Sequence, residues 1–205
     1  MGSAGPRTTA IILAAACAVG LATSPVAAQF SQSYNLIDAV KDRDAAKAKE
    51  VLDKPGSTAV NTLDEATGES ALEIVTRARD LGWMAFLLQN GAQPDLRDRK
   101  GNTPLMVAVQ VGYEQGAQLL LGQGAAINAA NARGETPLIM AVHNRDLPMA
   151  RTLLELGANP GQTDTIAGMS ARDYAERAPR CATILRLIDS IKVAPPSRKV
   201  AGPPL

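Results

Sequence analysis

Residues 101–108 read Gly-Asn-Thr-Pro-Leu-Met-Val-Ala, and residues 134–141 read Gly-Glu-Thr-Pro-Leu-Ile-Met-Ala, an offset of 33. The pairs Leu87-Leu88, Leu120-Leu121 and Leu153-Leu154, each ahead of a Gly-Ala, keep the same spacing. Weaker copies lie on either side, at Gly68-Glu69-Ser70-Ala71-Leu72 and Gly168-Met169-Ser170-Ala171. Further upstream, Leu36, Ala39 and Val51-Leu52 precede Leu105, Ala108 and Leu120-Leu121 by 69 residues, two periods plus three. Self-similarity at a fixed period of this size marks a stacked repeat.

One unit can be built from its residues. Thr103 accepts the first unpaired N–H groups of a helix, and Pro104 takes the first helical position, where no N–H is missed. Leu105 and Ala108 share one face, and Gly112 supplies a left-handed stop. A second helix is expected from about Glu114 to Gly122, burying Ala117, Leu120 and Leu121, with Gly124 ending it. Residues 127–134 are polar and turn-like, and Asn131 there, like Asp98 one period earlier, binds the local backbone as Asx residues do in turns. Small Ala108 lets the next unit approach. Each unit has two apolar sides, so it is stable only when stacked.

The Thr-Pro-Leu-x-x-Ala run, the Leu-Leu-x-x-Gly-Ala run and the 33-residue period resemble the ankyrin repeat. The resemblance implies an all-α solenoid of helix–turn–helix units over 34–191, with units at about 34–63, 64–96, 97–129, 130–162 and 163–191. The outer two are degenerate, as caps should be. The histidine that often follows Thr-Pro-Leu in this family is replaced by Met106 and Ile139, and by Glu73 and Asp173 in the weaker copies. Those units are expected to lose a polar link between neighbouring turns.

The 205-residue chain carries 21 basic and 20 acidic residues, so bulk charge does not select nucleic acid. Aromatic residues are 3% and His143 is the lone histidine, which disfavours stacking surfaces, His-rich metal sites and paired-histidine catalysis. No cofactor or metal is expected. Residues 8–23 are apolar after Arg7, and Ser24-Pro25 precedes Val26-Ala27-Ala28. This reads as a cleavable export signal over 1–28, cut between Ala28 and Gln29, followed by a short linker at 29–33. An uncleaved anchor and a lipoprotein Cys17 are the rival readings. The signal reads best as bacterial, which places the mature protein in the periplasm without a membrane span. Cleavage leaves Cys181 alone, and its apolar neighbours suggest burial. Residues 192–205 hold four prolines and three cations without an acid, and read as a disordered basic tail.

Chemical sites are few. His143 lacks a motif-supplied nucleophile or carboxylate. Gly122-Gln123-Gly124 is a helix stop and not a phosphate loop. Asp64, Glu65, Glu69 and Glu73 read as a solvated face with nothing to push their pKa values apart. Phe86 is expected in the core, and Trp83 either there or at a contact. The chain is therefore expected to bind rather than catalyse. The resemblance implies a protein partner on the concave face of turn tips and inner helix ends. The residues it places there are Arg77, Arg97, Arg99, Lys100, Asn102, Gln110, Arg133, Glu135, His143 and Asn144. On the wider face, with Lys41, Asp42, Glu69, Met169 and Arg177 included, seven residues are basic and three acidic. The body from 29 to 191 has 17 basic and 20 acidic residues, so the face runs against it. An acidic partner surface follows, and reversing Arg99 and Arg133 to Glu is expected to weaken binding without unfolding. The chain is expected to be monomeric alone. Three classes remain: a scaffold, inhibitor or stabiliser of an envelope protein, an immunity-type toxin inhibitor, and an enzyme.

Overall fold

Paired antiparallel helices recur along the chain, each pair joined by a tight turn and followed by a long loop. The computed structural model describes residues 36–54 and 58–191; the signal, linker and tail assigned from sequence lie outside them. Residues 36–41 form α1, followed by α2 (Ala45–Leu52), α3 (Ala71–Arg77) and α4 (Leu81–Gln89). Then come α5 (Pro104–Gln110), α6 (Glu114–Gly122), α7 (Pro137–Asn144) and α8 (Leu147–Glu155). The described part closes with α9 (Ala171–Arg177) and α10 (Ala182–Ser190). Helices α3, α5, α7 and α9 pack side by side as an inner layer, and α4, α6, α8 and α10 as an outer one. Among the described residues there is no β-strand, only isolated bridges at Leu63–Ser70 and Thr163–Ser170. The chain is an all-α solenoid.

The inner helices start where the sequence puts them. Thr103 and Thr136 accept from the Met106 and Ile139 amides at 3.4 and 3.2 Å, with proline in the first turn. Where the Thr-Pro pair is missing, a capping box replaces it: Ser70 with Glu73, and Ser170 with Asp173. So Glu73 and Asp173 are polar links within a helix start, where the sequence suggested only a loss. Met106 and Ile139 are fully buried. Residues Pro104 to Val109 are all buried because units lie on both sides of α5. Leu121 and Phe86 correct the expected core, since both are only half-buried against it. Trp83 is half-buried too, its ring edge-on to Phe86 at 5.5 Å. Cys181 is 2% exposed and has no disulfide.

At the inner-helix ends, Gly112 has φ +62°, but the equivalent residues are Arg43, Arg79 and Arg145, at φ 60°, 56° and 56°. A non-glycine residue there costs about 1–2 kcal/mol. Local bonds offset it. The Asp that follows each arginine caps the outer helix: Asp44 accepts from Lys47, Asp80 from Trp83 and Asp146 from Met149. Arg43 pairs with Asp80 of the next unit, and Arg79 donates to the Val111 carbonyl.

Two ladders tie the units together. In the long loops, Asn61, Asp95 and Asn128 accept from the amides of Gln93, Ala126 and Asn159, each at 2.8 Å. At the turn tips, Ala132 N donates to Lys100 O and Thr165 N to Arg133 O, each at 3.1 Å. The backbones come this close because Gly101 and Gly134 have no Cβ. One at Gly134 would lie 2.4 Å from Thr165 N, and one at Gly101 2.8 Å from Ala132 N. The tips of Asp64 and Asp164 are one residue longer, since their amides donate to the carbonyl five residues on, where those of Asp98 and Asn131 donate to the carbonyl four residues on.

Gly124 gives a clean comparison. Its φ is +86° but nothing lies within 4 Å of its added Cβ. Gly124→Ala should cost only the left-handed penalty of about 1–2 kcal/mol, and Gly134→Ala about 3 kcal/mol or more, because a rigid backbone nitrogen must also move. Urea unfolding of the two variants checks this; equal losses would show that the tips are not held in contact.

Candidate functional site

The surface that inner helices and turn tips share is fixed by what those elements need for themselves. Asp98 Oδ1 accepts from the amides of Lys100 and Asn102, both at 2.8 Å, and Oδ2 from Asn102 Nδ2 at 2.9 Å. Asn131 repeats the pattern one unit on, accepting from the amides of Arg133 and Glu135 at 2.9 and 3.0 Å. These Asx turns aim the tips as expected.

Asn102, expected to face a partner, is instead 4% exposed, its Oδ1 taking Asn131 Nδ2 at 3.2 Å. It joins two turns. Glu135 is 8% exposed and likewise internal: its Oε2 accepts Asn131 Nδ2 at 2.9 Å and the Arg133 Nε and Nη2 at 3.0 and 2.7 Å. Burial raises its pKa, but Asn131 and Arg133 outweigh that and hold it below the usual carboxylate value. Met169 is buried as well.

The basic residues are exposed, yet most are engaged. Arg77 places Nε and Nη2 on Glu69 Oε1 at 2.9 and 2.5 Å. Arg97 Nη1 spans the Gly101 and Ala130 carbonyls at 2.9 and 2.5 Å. Arg99 lies over Gly68, where an added Cβ would fall 2.4 Å from its Cγ, and donates to the Glu65 and Ala66 carbonyls. Its guanidinium thus replaces the backbone bond that joins later tips. Reversing Arg99 and Arg133 would therefore also remove a contact between tips and an ion pair, so a loss of binding in that variant would not report on the charge of the face alone. Asn144 is exposed and donates to the Val109 carbonyl at 3.1 Å. Lys100 and Gln110 are exposed, and among the described residues their side chains have no partner.

His143 has neighbours that its sequence context did not reveal. Its Nδ1 lies 3.8 Å from Glu135 Oε1, too long for a hydrogen bond, and its ring meets Tyr174 edge-on at 4.4 Å. The Tyr174 hydroxyl donates to Asp164 Oδ2 at 2.5 Å, a bond that raises the phenol's pKa and lowers the carboxyl's. The fold does supply a carboxylate beside His143, but one already engaged by Arg133 and Asn131. The group is a held aromatic and ionic patch without an activated nucleophile.

The acids around 64–73 correct a second expectation, because their environments do separate them. Lys41, 2.6 Å from Asp64, holds that carboxyl low. Glu73 is fully buried, and burial raises its pKa to about 7 against the two bonds from Ser70. Its Oε1 has no partner. The Ser-x-x-Glu spacing of a capping box was the signal for its bonds to Ser70. With no exposure, Glu73 cannot reach a substrate. Among the described residues no cluster of three or more His, Cys, Asp or Glu side chains is placed to hold a metal, and no helix is long and apolar enough to cross a membrane.

A family model described as ankyrin repeats (3 copies) matches residues 36–131 and 72–164, which together take in more than half of the chain.

Glu73 should leave a pH signature on stability. Its folded pKa lies above its unfolded value, so its contribution is fully present below about pH 4.5 and is lost as pH rises through about 7. Between those limits the native state should lose up to about 3 kcal/mol from this group. Glu73→Gln should gain on the parent by that amount between pH 4.5 and 8 in urea unfolding. Parallel pH profiles for the two chains would contradict the burial of an ionisable carboxyl there.

Proposed function

The chain belongs to the ankyrin repeat family, and from that premise we propose that it is a non-catalytic protein-binding module acting in the periplasm through its concave face. Ankyrin repeats are generally protein–protein interaction modules. One observation carries the choice of face. Arg77, Gln110, His143 and Arg177 stand exposed at the ends of successive inner helices, one per unit, at spacings of 33, 33 and 34 residues. Behind them the inner helices are buried against their neighbours, so this row is held on rigid supports. Rigid supports lower the ordering cost of binding. The export-type sequence of residues 1–28 supports the compartment, and the excess of cations on the face supports an acidic partner surface.

The face is tested by placing a photo-crosslinking amino acid at one position at a time in cells of the source. Positions 110 and 143 should capture the same protein, while positions 118 and 151 on the outer helices should capture none. Capture from the outer helices alone would overturn the concave-face reading.

A further inference from the structure

Between the second and third turn tips lies an open cleft of about 370 Å³, lined by charged and polar side chains. Three of its four carboxylate oxygens are bonded within the array. Glu69 is held by Arg77, and both oxygens of Asp98 are engaged by the amides and side chain of its own turn. Its donors are not all engaged. The Lys100 ammonium and the Gln110 amide point at no described partner, and no bond to Arg77 Nη1 is formed. Arg77, Arg99 and Lys100 against Glu69 and Asp98 leave the lining with a formal +1. A cleft with spare donors, its Asp98 oxygens and Glu69 Oε1 already bonded, and a net positive charge complements an anion, and the carboxylate geometry suits adjacent N–H donors.

We infer that this cleft takes an Asp or Glu side chain from an acidic peptide segment of the partner, with Lys100 and Gln110 as the contacting groups. The inference rests on the concave-face reading above and narrows it to one subsite. It also distinguishes Lys100 from the arginines beside it. The backbone of Lys100 serves the scaffold, its amide bonding Asp98 and its carbonyl accepting from Ala132, whereas its side chain serves nothing within the described chain. Replacing that side chain leaves both backbone bonds in place.

The test uses the full chain and three labelled 12-residue peptides, alternating Glu and Ser, Gln and Ser, or Lys and Ser, each amidated at its C-terminus so that only side chains can supply a carboxylate. Fluorescence anisotropy should show binding of the Glu–Ser peptide alone. Lys100→Glu should weaken it about tenfold or more, and Gln110→Ala about threefold, as expected for loss of a charge-assisted contact. Arg186→Glu, an exposed cation on α10, is the control and should leave the affinity within about twofold. Equal binding of the Gln–Ser peptide, or equal losses from Lys100→Glu and Arg186→Glu, would overturn the inference. If no peptide binds while positions 110 and 143 still crosslink the partner, the cleft inference fails and the module reading stands. If those positions do not crosslink, it is the concave-face reading that fails.

Discussion

The backbone bond from one turn tip to the next is the constraint on which the rest depends. Ala132 N to Lys100 O and Thr165 N to Arg133 O fix the spacing and rotation of successive units at their most exposed edge. They need glycine at 101 and 134, because any side chain there would strike the neighbouring backbone. They also need the Asx turns of Asp98 and Asn131, which aim each tip. Hydrophobic burial supplies the larger driving force but is non-directional. Leu105, Leu120, Leu138 and Leu153 are buried between the layers, and the tip bonds and the Asn61, Asp95 and Asn128 ladder add direction to that burial.

The same constraint decides what is left for a partner. A repeat array must satisfy many exposed carbonyls at its turns, and here arginines do much of that. Arg97 reaches forward to the Ala130 carbonyl, Arg99 back to those of Glu65 and Ala66, and Arg79 forward to the end of α5. Arg77 and Arg133 are matched by Glu69 and Glu135. A face that counts as strongly basic in sequence therefore offers few uncommitted cations. The account of binding accordingly shifts from the arginines to Lys100 and Gln110 in the centre, and to the His143–Tyr174 patch at the end.

Much of the fold was legible because its signals are local and repeated. The Thr-Pro-Leu runs, the Leu-Leu pairs and the glycines at 112 and 124 each act within a few residues of themselves. Glu73 and Asp173 carried a local signal as well, the capping box, at the place where the family often has a histidine. The arginines at 43, 79 and 145 were not legible as left-handed stops, since an L side chain disfavours that backbone. Side-chain direction at the tips was not legible either. Lys100 and Asn102 sit two residues apart in one turn, yet one is exposed and the other buried by a bond to Asn131 in the next unit. His143 and Tyr174 meet across two units, a contact that no short motif encodes.

The tip ladder can be read directly by hydrogen exchange on the full chain. Ala132 and Thr165 are solvent-exposed turn residues, whose amides would exchange within the fastest class if the tips were independent. The amide of Arg99, at the equivalent place, forms no such bond, because its side chain makes that link. The account predicts slow exchange at Ala132 and Thr165, close to that of the inner-helix amides, and fast exchange at Arg99. Equally fast exchange at all three would contradict it.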